Sequence, residues 1–160
     1  MTDIPQLATC SWAAYEPDMG TAVRISLGAP RGRKPPGRRQ WIYVAELAPR
    51  RSYFHAADAE FDRQYLAQLD RFADLIAQKL SWLKDQEDEP LVLLCFERKI
   101  RGPQDCHRRL FADWWSELTG QEVPELDARG AARRQRQEPQ PEPEPKRPEI
   151  PGQLSLIEED

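Results

Sequence analysis

The chain has 160 residues, a mass of 18.5 kDa and a net charge of −4, so it has room for one domain and an appendage. Its mean hydropathy of −0.77 is low for a globular protein, and we therefore expect part of the chain not to fold. The negative net charge argues against a protein that coats nucleic acid through bulk electrostatics.

The apolar runs and the cysteines indicate the compartment. No apolar run approaches the ~20 residues that span a bilayer, and the first five residues lack the basic and then apolar stretch of a signal peptide. The three cysteines are odd in number and widely spaced, which is typical of thiols in a reducing compartment. We therefore expect a cytoplasmic protein with no membrane partner.

Three short strands are predicted in the first third of the chain. Residues 8–12 form the first, residues 22–27 alternate apolar and polar side chains up to Gly28, and residues 41–47 are strongly strand-like. Between the second and the third lies a segment of basic residues, Pro and Gly, 31–39, which no regular element can absorb. We call this segment the basic loop.

The longest helix is predicted over residues 57–84. Its apolar residues recur at spacings of three and four and therefore line one face. These residues are Phe61, Tyr65, Leu69, Phe72, Ile76, Leu80 and Leu83. The acidic run 85–89, followed by Pro90, ends the helix.

A further strand and helix follow. Residues 91–96 are continuously apolar, as in a central strand that is buried on both faces of a parallel sheet. Asp105 is a suitable N-cap for a helix over residues 106–118, and Gly120 suits its C-terminal end. This order of elements predicts a single compact Rossmann-like α/β domain, with an open, largely parallel sheet flanked by helices.

Chemically active side chains cluster around the end of that last strand. In open α/β sheets, ligands bind beyond the carboxyl ends of the strands, where Cys95 and Glu97 lie. Residues 106–109, Cys-His-Arg-Arg, open the next helix, whose N-terminus favours an anion or a thiolate. We therefore predict a site at this edge of the sheet.

The predicted site combines a thiolate, a proton carrier and cations. The catalytic candidates are Cys106, His107, Cys95 and Glu97, and the ligand-binding candidates are Arg108, Arg109 and Cys10. The Cys106 thiolate would be the nucleophile or would hold an anion, His107 would carry a proton, and Arg108 would clamp a phosphate. Glu97 would orient these groups.

Other interpretations stay open for the same residues. Cys95 in an apolar strand can be a small buried hydrophobic residue, and arginines in a first helical turn are usually solvated. A metal site is a further alternative, with the ligands Cys95, Cys106, His107 and Cys10. The spacing lacks the close Cys-x-x-Cys pair of common structural zinc sites, so we assign no metal and leave the cofactor unknown.

The same motifs resemble a known family. Leu91-Val-Leu-Leu-Cys-Phe-Glu97, followed by Cys106-His-Arg108 at the start of a helix, is similar to the signature of the domain-of-unknown-function 488 family. Cys10-Ser-Trp and Tyr15-Glu-Pro-Asp-Met-Gly20 resemble one branch of it, and the resemblance covers roughly residues 8 to 126. It implies a compact α/β domain whose two cysteines, glutamate, histidine and arginine line one pocket. The family has no established reaction, and a link to DNA repair or nucleotide chemistry is suggested for its relatives.

The basic loop is a candidate nucleic-acid contact. Its cationic residues are Arg31, Arg33, Lys34, Arg38 and Arg39. Trp41 and Tyr43 lie close by in sequence, and aromatic residues beside cations suit a single-stranded partner. The alternative is a solvated loop between two strands.

The composition changes after the folded part. We divide the chain into an α/β domain over residues 1–127, a disordered linker over residues 128–152 and a docking peptide over residues 153–160. Six of the fifteen prolines lie between Pro139 and Pro151, where little apolar surface is available to offset the entropy of ordering.

The docking peptide resembles the pentapeptide with which bacterial replication and repair proteins bind the sliding clamp, usually Gln-Leu-Ser/Asp-Leu-Phe. The matching residues are Gln153, Leu154, Leu156 and Ile157, with Ser155 between them. Ile157 in place of Phe should weaken the fit by part of the ~1.5–3 kcal/mol that a buried large apolar side chain contributes. Another protein partner, or packing against its own domain, is the alternative.

Two hypotheses of function follow. The first is a DNA-associated protein that recognises or processes a nucleotide or a DNA end at the cysteine site and is recruited to the sliding clamp by its tail. The second is a non-catalytic binding or sensor module for a small anionic ligand, which recruits a protein partner through the same tail. The sequence leaves open whether the domain is an enzyme.

Overall fold

The computed structural model describes residues 4–96 and 106–126, and the statements below concern these two ranges. The strands are β1 (Leu7–Ser11), β2 (Thr21–Arg24), β3 (Ile42–Tyr43) and β4 (Leu91–Cys95). The helices are α1 (Asp58–Arg71), α2 (Ala73–Gln86) and α3 (His107–Thr119). Short 3-10 turns lie at Pro17–Met19 and Ala45–Leu47.

The four strands form one open, all-parallel sheet in the order β1-β4-β2-β3. All four strands therefore end at the same edge, and Ser11 at the end of β1 lies beside Cys95 at the end of β4. The described chain returns to this sheet after α3, because Leu126 N–H donates to the Thr9 carbonyl at 2.8 Å and Thr9 N–H donates to Pro124. The predicted open, parallel α/β sheet is confirmed.

The two faces of the sheet are covered differently. Side chains of all three helices pack on one face, against alternate residues of the strands that include Leu93 and Cys95. The opposite face packs Cys10 and Leu94 against Trp12 and Tyr15, which belong to loops. β4 is therefore buried on both faces, as its unbroken apolar run predicts. None of the helices in the described ranges is both long and apolar enough to cross a membrane.

The single helix predicted over residues 57–84 is wrong in one respect, because the structure has two helices that meet at Phe72. The backbone of Phe72, at φ −105° and ψ 16°, leaves the helical region and redirects the chain. Its ring packs against the main core and lies 5.4 Å from the Arg50 guanidinium carbon. Apolar spacing does not register this break, since the core-facing residues keep their spacing across it.

The strand predicted over residues 41–47 is too long, because β3 ends at Tyr43 and a 3-10 turn follows. Side chains of α1 donate hydrogen bonds to the backbone carbonyl groups of this turn. Tyr65 Oη donates to Leu47 O at 2.7 Å, and Gln68 Nε2 donates to Glu46 O at 2.8 Å. These long-range hydrogen bonds hold the segment as a turn in spite of its strand-like residues.

The start of α3 also differs slightly from the prediction. Cys106 is the N-cap, with extended backbone at φ −156° and ψ 139°, and the helix begins at His107. The predicted N-cap, Asp105, lies outside the described residues. Gly120, at φ 74°, ends the helix in the left-handed conformation, as expected of a C-terminal glycine.

Gly20 should be essential for the entry into β2. Its φ is +138°, and a Cβ atom there would lie 2.3 Å from Pro90 O, which accepts the Thr21 N–H at 2.8 Å. We expect Gly20→Ala to lower the free energy of unfolding by about 3 kcal/mol or more, as measured by urea denaturation. Gly32→Ala is the matched control, because Gly32 also has positive φ but its Cβ would have nothing within 4 Å. Equal losses in the two variants would contradict the steric argument.

Candidate functional site

Two cysteines meet where β4 ends and α3 begins. Cys95 is the last residue of β4 and Cys106 is the N-cap of α3, and their Sγ atoms lie 2.8 Å apart. Both are buried, with exposed fractions of 0% and 4%. The two sulfurs therefore form a close pair at the carboxyl edge of the sheet, on the face that carries the helices.

A buried arginine lies directly against this sulfur pair. The Arg108 side chain has an exposed fraction of 0%, and its Nη1 donates to Cys95 Sγ at 2.9 Å and to Cys106 Sγ at 3.4 Å. Its Nε and Nη2 donate to the Glu125 carboxylate at 3.0 and 3.4 Å. The guanidinium is thus shared between a carboxylate and two sulfurs.

These partners keep the Arg108 guanidinium protonated. Burial alone acts to lower the pKa of Arg108, but the nearby sulfurs of Cys95 and Cys106 and the hydrogen bond to Glu125 outweigh it, so this pKa is raised. A permanent cation in contact with Cys106 favours the thiolate form of this cysteine, which in addition caps a helix N-terminus. The alternative that the arginines of this turn are solvated does not hold for Arg108.

His107 presents one ring nitrogen to the sulfur pair. Its Nε2 lies 2.8 Å from the Ile25 carbonyl oxygen, which can only accept, so Nε2 carries the proton. In the neutral imidazole, Nδ1 therefore holds a lone pair, and this atom lies 4.0 Å from Cys106 Sγ. The Tyr65 ring packs edge-on against the imidazole at a centroid distance of 5.4 Å. His107 is thereby oriented to exchange a proton with the Cys106 thiol.

Two polar residues of this network are absent from the sequence-based prediction, Glu125 and Thr9. Thr9 Oγ1 donates to Glu125 Oε2 at 2.7 Å, and Arg109 Nη1 donates to Thr9 Oγ1 and to Val123 O, each at 2.9 Å. Arg109, predicted to bind a ligand, thus joins β1 to the segment that follows α3. No local motif marks Glu125, because it reaches the site only through the pairing of its segment with β1.

One predicted member lies away from the cluster, and another lies outside the described residues. Cys10 is fully buried in the packing of the opposite face, where it lies beside Leu94 of β4. The alternation of side chains along a strand places Cys10 and Cys95 on different faces of the sheet. Glu97 lies outside the described residues, so its predicted orienting role stays a prediction.

The sulfur pair and His107 could also serve as metal ligands. Their donor atoms all lie within 4.8 Å of one another, and thiolate with imidazole suits a soft ion such as zinc. Two thiolates on one tetrahedral zinc ion, with bonds of ~2.3 Å, are about 3.8 Å apart. The 2.8 Å between Cys95 and Cys106 is shorter, so the pair would have to open to admit an ion.

Two cations of the basic loop hold the loop on the domain. Arg33 donates to the backbone carbonyls of Trp12 and Tyr15, and Arg38 forms an ion pair with Glu87. The remaining cations of the loop are exposed: Arg31, Lys34 and Arg39. Arg33 and Arg38 are exposed as well, although each also has partners within the domain, so the loop combines a structural role with a cationic surface.

The aromatic residues beside the loop also differ from each other. Trp41 packs edge-on against Trp12, with ring centroids 4.8 Å apart, and belongs to the core of the second face. Tyr43 is 41% exposed, and the Arg24 guanidinium carbon lies 3.8 Å from its ring centroid. Arg24 and Tyr43 end their strands at the same edge of the sheet as Cys95. Arg24 is in register with Leu94, however, so this cation–aromatic pair lies on the face opposite the sulfur pair.

Removal of the carboxylate beside Arg108 should destabilise the domain. We expect Glu125→Gln to lower the free energy of unfolding by about 3 kcal/mol, because the Arg108 cation stays buried without its carboxylate partner. Glu60→Gln is the matched control, since Glu60 pairs with Arg63 on an exposed helix surface. Chemical denaturation should show almost no change for the control, and equal effects of the two substitutions would contradict the assignment.

A comparison with known protein families identifies the family to which the chain belongs. The family model described as "Domain of unknown function DUF488" matches residues 33–115, which is more than half of the chain and includes Cys95 and the Cys-His-Arg motif. No curated protein matches the chain, and no solved structure does. On the family match, this protein belongs to the DUF488 family.

Proposed function

We propose that the protein is associated with DNA and uses its Cys106 thiolate to recognise or process a nucleotide or a DNA end. The observation that carries the proposal is the contact of Arg108 Nη1 with both sulfurs while His107 Nδ1 faces Cys106. A thiol beside a fixed cation and a proton acceptor has the surroundings of a nucleophile. Cys106 would attack the substrate, and His107 would take the thiol proton.

The role of Arg108 in this proposal differs from a phosphate clamp. Its donors are directed at Glu125, Cys95 and Cys106 within the protein. Arg108 therefore acts as a positioning residue that keeps negative charge at the sulfur pair. This arrangement also favours the thiol-dependent function over the alternative of a passive module for small anions, which would need cationic donors directed outward.

Support for a nucleic-acid substrate comes from the exposed surface at the carboxyl edge of the sheet, on the face opposite the sulfur pair. Tyr43 is exposed and stacked with Arg24 at the carboxyl edge of the sheet, and a stacked aromatic ring beside a cation suits an unpaired base and its phosphate. Arg31, Lys34 and Arg39 add exposed positive charge in the connection between β2 and β3. These features favour single-stranded nucleic acid or a nucleotide.

Recruitment by the tail is proposed from the sequence. The motif residues Gln153, Leu154, Leu156 and Ile157 lie outside the described residues. The linker, residues 128–152, is rich in Pro and charged residues and would act as a tether, and the docking peptide would bind the sliding clamp. The tether would raise the local concentration of the thiol site near DNA.

Substitution of the proposed nucleophile should separate binding from turnover. We expect single-stranded oligonucleotides or nucleotides to raise the Tm of the protein in a thermal-shift screen, and Cys106→Ser to retain this shift. Product formation from the bound compound, followed by mass spectrometry, should fall at least ~100-fold in this variant because the hydroxyl is a far weaker nucleophile. Cys10→Ser, on the opposite face, should keep the activity.

Two results would contradict the proposal. One is the absence of any shift with nucleotides and single-stranded DNA across the screen. The other is turnover that survives in Cys106→Ser.

The docking peptide makes a separate prediction. A fluorescent peptide of residues 152–160 should bind the sliding clamp of the same cell in an anisotropy titration. We expect Leu156→Ala to weaken binding about 10–100-fold, because it removes ~1.5–3 kcal/mol of apolar burial. Ile157→Phe should tighten binding, and Glu159→Ala, outside the motif, should leave it unchanged. Binding that is absent at high micromolar concentration, or that is insensitive to Leu156→Ala, would refute clamp recruitment.

A further inference from the structure

The distance between the two sulfurs of the site suggests a second chemistry. Cys95 Sγ and Cys106 Sγ are 2.8 Å apart, which is only about 0.75 Å longer than the ~2.05 Å of a disulfide bond. Neither cysteine is in a disulfide bond in the structure, and the third, Cys10, lies on the other face of the sheet. We propose that Cys95 and Cys106 form a reversible disulfide bond when the protein meets a hydroperoxide, and that this bond switches the site off.

The inference rests on the proposed function, because it takes Cys106 as the reactive thiolate. The Arg108 guanidinium, in contact with both sulfurs, favours the anionic form that peroxides attack most readily. A resolving thiol already in contact with the reactive one is the arrangement of a redox-sensing cysteine pair. A disulfide in a reducing compartment is typically transient and regulatory, which fits a switch better than a structural crosslink.

Little movement is needed to make the bond. Cys106 is the N-cap and has extended backbone, so its side chain lies outside the helical ladder and can rotate without disturbing α3. Cys95 lies at the end of its strand, where the paired register with Ser11 terminates. The bond would therefore form at the ends of two elements and leave the interior of the sheet unchanged.

The reaction balances with a hydroperoxide as the oxidant. The Cys106 thiolate attacks the terminal peroxide oxygen, the O–O bond breaks, and the other oxygen leaves as an alcohol after it takes a proton, which produces a sulfenic acid. Cys95, as the thiolate, then attacks the Cys106 sulfur, and the hydroxide that leaves takes a proton and becomes water. In sum, two thiols and one hydroperoxide give one disulfide, one alcohol and one water. The two electrons lost by the thiols reduce the peroxide.

Reduction restores the site by thiol–disulfide exchange. A dithiol attacks one sulfur of the bond, forms a mixed disulfide and then closes on itself, which releases Cys95 and Cys106 as thiols. While the bond exists, Cys106 is not a thiolate that could attack a substrate, and the disulfide carries no negative charge beside Arg108. We therefore expect the oxidised protein to lose any Cys106-dependent turnover.

The test counts thiols and needs no substrate. The full chain is reduced, desalted into buffer with a chelator and treated with a slight excess of tert-butyl hydroperoxide. It is then denatured in N-ethylmaleimide and analysed by intact mass. We expect the reduced protein to take up three adducts, one for each cysteine thiol, and the oxidised protein to take up one. Peptide mapping should join Cys95 to Cys106 and place the remaining adduct on Cys10, and dithiothreitol should restore all three adducts.

Single variants make the result specific. Cys10→Ser should still form the bond and then take up no adduct. Cys95→Ala should leave Cys106 as a sulfenic acid that dimedone traps, and Cys106→Ala should leave Cys95 with much slower oxidation. Circular dichroism checks that each variant is folded.

The inference would be overturned if the protein still takes up three adducts after a peroxide dose that oxidises free glutathione. A disulfide that includes Cys10 would overturn it too, as would oxidation of Cys106 to the sulfinic acid in the intact chain. These measurements involve no nucleotide or DNA, so the two proposals can fail separately. If the disulfide forms but no nucleotide binds, only the proposed function is contradicted. If turnover depends on Cys106 but no disulfide forms, only the redox switch is contradicted.

Discussion

A buried guanidinium is the constraint on which the rest of the site depends. Arg108 has no exposed surface, and a buried cation must be matched by nearby negative charge and accepting groups. Glu125 supplies a carboxylate. The two sulfurs, at the end of β4 and the start of α3, accept hydrogen bonds from Arg108 Nη1. The need to satisfy one side chain therefore links β4, α3 and the segment after α3.

The same requirement explains why the described chain returns to the sheet after α3. Glu125 pairs with Thr9 on the outer side of β1, and the Thr9 hydroxyl lies between Glu125 and Arg109. These contacts place the carboxylate beneath Arg108 and at the same time continue the backbone pairing of the sheet edge. The residues that balance the charge of Arg108 therefore also hold the edge of the sheet together. A substitution in the site is expected to lower the stability of the fold as well.

The two faces of the sheet divide the cysteines into different roles. The helix-covered face holds Cys95 and Cys106 against Arg108, whereas Cys10 packs among aromatic and aliphatic side chains of the other face. The basic loop contributes to this second covering, because Arg33 donates to the carbonyls of Trp12 and Tyr15. A segment that the sequence marks as a nucleic-acid contact is therefore partly a structural cover, because two of its five exposed cations also have partners within the domain.

The sequence by itself determined the features that consecutive residues encode. The unbroken apolar run of β4 predicted a strand buried on both faces, and the positions of Cys95 and Cys106 predicted their approach, because a strand end and the next helix start meet at one edge of a parallel sheet. Tertiary structure decided the rest. The break at Phe72, the short β3 and the burial of Arg108 depend on partners far along the chain, such as Gln68 for the turn after β3 and Glu125 for the guanidinium. Local patterns report propensity and periodicity, whereas register and charge pairing are settled only when distant segments pack, and this packing placed Cys10 and Cys95 on opposite faces.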